Sequence, residues 1–233
     1  MSYHSNIKAR KNPPEIEHPT SRKYLKIFLF ILLLMASGYL LYMGDLKLRD
    51  IEKNSLPVIG AEQAHTVSQF SFLNQEGKVI TNEYIKGKIC VVSYFFATCK
   101  GICPQMNENM DLVYKAFNGN ENVVLLSHTV DPKKDSVGAL KAYSKRYDAN
   151  PVQWMFLTGD KKKLYDMARY SYLISAGDDT TGLGIDCDFI HDQQFTLVDG
   201  YGRIRGIYDG LNKKQIDSLI GDIKRLLNEK KVQ

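Results

Sequence analysis

The 233-residue chain reads as an α/β protein, a sandwich built on a mixed central sheet and preceded by one N-terminal transmembrane helix. Three observations lead there. Short apolar strands alternate with amphipathic helical stretches. The chain closes with an antiparallel strand pair and a helix, which makes the sheet mixed. Near the N-terminus, residues 27–43 are almost wholly apolar and uncharged, and about 17 such residues are near the lower limit for crossing a membrane.

The N-terminal elements follow from charge and composition. Residues 1–26 carry Pro13, Pro14 and Pro19 among charges, without apolar periodicity, and read as a disordered tail. Residues 27–43 are the transmembrane anchor, with Tyr24, Tyr39 and Tyr42 near its ends. A cleavable signal peptide competes, because Ala36, Ser37 and Gly38 are small, but the apolar core is long for one. Residues 44–61 form a linker, and residues 62–233 form the domain. Lysines and arginines crowd the N-terminal side of the anchor, so the tail is expected in the cytoplasm and the domain outside. Residues 1–49 hold 8 Lys/Arg against 3 Asp/Glu, whereas residues 50–233 hold 23 of each. The domain is therefore neutral, and without a basic stripe it offers nucleic acid no surface.

Within the domain, residues 67–73 and 78–80 make a hairpin about the turn at Asn74 and Gly77. Residues 89–97 are a buried strand, and a helix over 106–117 follows Pro104, with Cys103 as its cap. Strand 123–127 runs into His128 and Asp131, helix 136–147 leads to strand 153–157, and Asp160 caps a helix through Arg169. Strands 194–198 and 203–208 flank a turn at Asp199 to Gly202, and helix 213–227 carries Ile216, Leu219, Ile220 and Ile223 on one face. This is the order of a thioredoxin-like fold.

Cys99 and Cys103 stand where the first long strand ends and its helix begins. The helix N-terminus is expected to lower the pKa of both thiols, which leaves them fit for redox exchange or for metal. Three departures from thioredoxin oxidoreductases bear on that choice. The cysteines are separated by three residues instead of two, and Thr98 precedes the first. The last proline of the chain is Pro151, so no cis-proline can precede the terminal hairpin, where His191 stands instead. Two thiolates with one imidazole form a soft anionic donor set suited to copper.

These motifs resemble the Sco/SenC family of copper proteins that assist assembly of cytochrome c oxidase. The resemblance covers about residues 62–227 and the anchor. It is carried by Thr98, Cys99, Cys103 and Pro104, by Val130, Asp131 and Pro132, by Trp154, Phe156, Leu157 and Gly159, and by His191, Phe195, Leu197, Asp199 and Gly202. It implies that Cys99, Cys103 and His191 bind copper, as Cu(I), Cu(II) or both, with Asp131 near the site. It also implies a metallochaperone acting on the copper-A subunit of the oxidase. The anchor and an acid-containing tail then place the chain in a bacterial inner membrane, single-pass, its domain facing the periplasm. The alternative is an exported thiol–disulfide oxidoreductase cycling Cys99 and Cys103 without metal.

Other residues read more plainly. Cys90 lies within a strand and is expected as a packed core thiol. Met106 and Met110, four residues apart on a helix, are expected in the core and not as thioether ligands. His128 is a lesser site candidate, and Cys187, four residues before His191, is a loop thiol or a spare ligand. Lys100 departs from the family's usual pair between the cysteines. Residues 171–202 hold six aspartates and no Lys or Arg, which suggests steering of a cationic partner. The glycines of residues 177–184 suggest a mobile loop beside the site.

Overall fold

A computed structural model describes residues 19–60, 65–174 and 193–232. The chain divides into two compact units, Met1–Lys53 and Asn54–Gln233. The first contains helix α1, Pro19–Asn54, in which the 26-residue span Arg22–Lys47 includes an 18-residue stretch of mean hydropathy 2.2, long and apolar enough to cross a membrane. Its apolar side chains between Tyr24 and Leu46 are exposed, Leu41 being 76% so. Residues 44–54, read above as linker, continue this helix. Of the tail, residues 1–18 lie outside the described residues.

The second unit begins with a small antiparallel hairpin, β1 (Ser71–Leu73) and β2 (Val79–Thr81), and a helical turn, α2 (Asn82–Ile85). There follow β3 (Ile89–Phe95), α3 (Cys103–Ala116), β4 (Val123–Thr129), α4 (Val137–Ser144) and β5 (Trp154–Leu157). Helix α5 (Lys161–Asp166), strands β6 (Gln194–Val198) and β7 (Ile204–Asp209), and helix α6 (Lys213–Val232) complete it. The main sheet has the order β5-β4-β3-β6-β7. Strands β3, β4 and β5 are parallel, while β6 pairs antiparallel with both β3 and β7. The expected mixed sheet is present.

Period-2 alternation divides the side chains of the central strands between two cores. Ile89, Val91 and Phe95 of β3 pack with Val113 of α3, Leu140 of α4 and Leu219 and Ile223 of α6. Cys90, Val92 and Tyr94 face the other way, onto Phe72, Leu164, Tyr165 and Tyr172. Because β3 is buried along its whole length, it reads as an apolar run broken only by Ser93, as parallel central strands do.

Several boundaries differ from expectation for local reasons. The first strand was expected from residue 67 and starts at Ser71, because the backbone N–H groups of Ser68 and Phe70 donate to the side chains of Ser171 and Asn82 instead of to a neighbouring strand. Helix 136–147 divides into α4, capped by Ser136, and a 3-10 turn Lys145–Tyr147 ending at Asp148 with φ 47°. The helix capped by Asp160 passes at Met167–Ser171 into a π-helical turn. Such turns are stretches of widened backbone that no periodicity announces.

Candidate metal centre

The thiol loop is built by the strand and helix on either side of it. β3 ends at Phe95, where Phe95 O accepts the N–H of Val130 at 2.9 Å and ties the strand end to the end of β4. The chain then turns, Cys99 N–H donating to Phe96 O at 3.2 Å, and enters α3 with Met106 N–H on Ile102 O at 3.0 Å. Pro104 occupies the first turn of α3, where its missing N–H costs nothing. Ile102, one residue earlier than expected, takes the cap position, and Cys103 is the first helical residue.

Cys99 is half-buried at the surface, and Cys103 is buried at 5% exposure against Met106 and Phe95. Cys99 stands close enough to Cys103 to raise its pKa, and both are free thiols. Around Cys99 the side chains of Thr98, Lys100 and Ile102 are exposed, and a Cβ on Gly101 would stand 4.0 Å from the Cys99 sulfur. The expectation of a lowered pKa fails at Cys103. Burial, then the hydrogen bond to Cys99, pushes its pKa up to about 12, and backbone hydrogen bonds at Phe96 and Cys103 only partly oppose this. Desolvation of a thiolate outweighs the helix dipole here.

His191 and Cys187 lie outside the described residues, as do the glycine-containing loop and the aspartates between residues 178 and 192. At Gln193, the first described residue after them, the carbonyl accepts the N–H of Gly210 at 2.7 Å; a Cβ on Gly210 would come within 2.6 Å of that oxygen. β6 then starts at Gln194, and its antiparallel register with β3, Val92 opposite Thr196, puts that start at the end of the sheet where β3 gives way to the thiol loop.

The lesser candidates separate clearly. His128 points from β4 into the face of the sheet away from α3, among Phe70, Phe72, Tyr94 and Tyr172, and is removed from the site. Met106 and Met110 are buried in the α3 core, as expected, and Cys90 is a core thiol whose pKa burial pushes up to about 12. Asp131 follows β4 and turns its carboxylate to Lys134 at 3.1 Å. One residue escaped the sequence reading. Asp135, 1% exposed, accepts hydrogen bonds from Ala97 N–H at 3.1 Å and Thr129 Oγ at 2.5 Å. Its only signal was an aspartate four residues after Asp131, which resembles many loop aspartates.

The SCO1/SenC family model matches residues 60–228. The SCO1 protein homolog of Bacillus subtilis is 31% identical over 166 residues, which are 69% of this chain and 82% of that protein. A solved BsSco structure, described as having a disulfide switch and as a member of the Sco family of cytochrome c oxidase assembly proteins, is 25% identical with a TM-score of 0.62, over 77% of this chain and 99% of its own. ScoI of Bradyrhizobium japonicum, solved with copper bound, shares the fold at 22% identity and a TM-score of 0.55, over 69% of this chain and 99% of its own. Because the family match takes in most of the chain, residues 60–228, the chain belongs to the SCO1/SenC family.

Proposed function

We propose that this protein is a membrane-anchored copper metallochaperone, which takes copper on Cys99, Cys103 and His191 and assists assembly of the copper-A centre of cytochrome c oxidase. The observation that carries the reading is the pair of free thiols at the head of α3, Cys99 half-buried at the surface and Cys103 backed by core and close enough to Cys99 to feel it. Two adjacent sulfurs are soft donors for Cu(I) and, as thiolates, balance the charge of Cu(II). The half-exposed Cys99 meets the incoming ion and the departing one. Cys103 gives up its proton on binding and fixes the second sulfur. His191 stands three residues before β6, whose first residues lie at the thiol end of the sheet, so a ligand from that segment has a short way to travel.

Membrane anchoring fits the apolar span Arg22–Lys47, and the charge asymmetry about it favours a cytoplasmic N-terminus and an exported domain in a bacterial inner membrane. The partner is the copper-A subunit of the oxidase. Deleting the gene in its host is expected to lower copper-A oxidase activity in isolated membranes. Re-expression of the parent restores it, and re-expression of the Cys99→Ser, Cys103→Ser double variant does not. Full restoration by the double variant would contradict the reading.

A second reading draws on the same pair of thiols. Two free thiols near each other at the head of one helix can form a disulfide, so Cys99 and Cys103 also suit a thiol–disulfide oxidoreductase without metal. His191→Ala separates the two, since disulfide exchange should survive it and copper binding should not.

A further inference from the structure

Residues 97–102 lie between β3 and α3, and most of their exposed side chains can contribute little to holding the loop. Ala97, two residues before Cys99, has its N–H bonded to neither strand nor helix backbone; it donates to Oδ2 of Asp135 at 3.1 Å. The same oxygen takes the Thr129 hydroxyl at 2.5 Å, and Thr129 Oγ accepts the N–H of Asp131 at 3.0 Å. Asp135 N–H in turn donates to Asp131 O at 2.9 Å. Thr129 and Asp135 are 0% and 1% exposed, so the bonds among Thr129, Asp131 and Asp135 are buried, and the bond from Ala97 is partly so. A buried carboxylate is costly to keep, and burial raises the pKa of Asp135 against the pull of these two bonds. Apolar residues would fill the space more cheaply. What the carboxylate adds is a fixed acceptor beneath the entry to the thiol loop.

We propose that Asp135 is a positioning residue for the thiol pair: through the N–H of Ala97 it fixes the strand end that aims Cys99 at Cys103, and so sets the balance between dithiol and disulfide. This rests on Cys99 and Cys103 being the working pair and not on their binding copper. Tying down the loop raises the effective concentration of one thiol at the other without any new contact between them. The exchange that reads this out is balanced: the two thiols give two electrons and two protons to one oxidised glutathione, an S–S bond forms between Cys99 and Cys103, and the glutathione S–S bond breaks to give two glutathione thiols.

The test equilibrates the full chain in detergent with glutathione buffers, traps free thiols with an alkylating agent, and scores the Cys99–Cys103 peptide by mass spectrometry. Asp135→Ala is expected to lower the equilibrium constant for the disulfide about tenfold, which is about 30 mV in potential. Asp135→Asn keeps an oxygen acceptor in place and should stay within about threefold of the parent. Ile223→Ala, a core cavity under α6, controls for general loosening and should not move the constant. If Asp135→Ala does not fold, Asp135→Glu takes its place; its carboxylate is displaced by a methylene, and it should shift the constant where Asn does not. An unmoved constant in the Ala or Glu variant, or an equal shift in Ile223→Ala, overturns the proposal. Loss of copper binding in the parent would leave this result standing, and the reverse also holds.

Discussion

The imidazole of His128 stacks on the ring of Tyr94, centroids 5.1 Å apart and planes 16° apart, on the face of the sheet opposite α3. Among the described residues neither ring nitrogen of His128 has a hydrogen-bond partner, and the nearby Tyr172 hydroxyl has none either. Burial lowers the His128 pKa to about 3 from 6.5, so the group is neutral when folded and protonated readily when unfolded. A depressed folded pKa contributes stability that is complete above pH 6.5 and is lost as pH falls toward 3, with a ceiling of about 5 kcal/mol. His128→Phe should therefore raise stability by about 1–2 kcal/mol at pH 7, where it removes orphaned polar atoms, and by more at pH 5. Urea unfolding at both pH values checks this; a variant less stable than the parent at pH 5 would refute it.

Exposure orders the reactivity of the described cysteines. Cys99 is half-buried, whereas Cys103 and Cys90 are buried with pKa values pushed up to about 12. Brief treatment of the reduced protein with iodoacetamide at pH 7.5 should label Cys99 at least about tenfold faster than Cys103, with Cys90 protected until the chain unfolds. Peptide mapping reads the order directly.

The raised pKa of Cys103 also fixes the sign of a pH effect. Below about pH 12 this thiol holds its proton, so copper binding must release it, and affinity should rise by at least about tenfold per unit between pH 6 and 8. Competition with a chelator of known pH behaviour measures the slope. A flat profile would show that Cys103 is not a ligand.

At the other end of the sheet, Arg205, with its side chain 4% exposed, bonds Asp199 at 2.9 Å, Glu229 at 2.9 Å and the carbonyl of Leu56 at 2.6 Å. Glu229 also accepts the N–H of Leu56 at 2.9 Å, so one buried cation holds α6, the β6–β7 turn and the first residues of the domain together. Arg205→Met strands two carboxylates and should cost about 3–5 kcal/mol in urea unfolding. A loss under about 1 kcal/mol would mean that the cluster is solvated in solution.

Much of this fold was legible because its signals are local. β6 was placed at residues 194–198 by its apolar run and the Asp199–Gly202 turn, in which Gly202 takes φ 78° and its N–H closes on Asp199 O at 2.9 Å. Ser136 and Asp160 were read as helix starts, and each accepts an N–H three residues on. What escaped depends on tertiary neighbours. The sequence pattern of residues 67–70 is strand-like, yet their N–H groups are taken by distant side chains. Cys103 stands at a helix start, which lowers thiol pKa values in general, but the core behind it reverses the sign. Asp135 is ordinary in sequence, and it matters because the fold brings it under Ala97.

The central claim is that two thiols and one imidazole form a single copper site. The direct measurement is a titration of the reduced full chain in detergent with Cu(I) and with Cu(II), followed by competition and by optical absorption in the sulfur-to-copper charge-transfer region. One equivalent should bind tightly to the parent, and Cys99→Ser, Cys103→Ser and His191→Ala should each weaken binding by at least about a hundredfold. Stoichiometric binding of unchanged strength in any of the three would contradict the account.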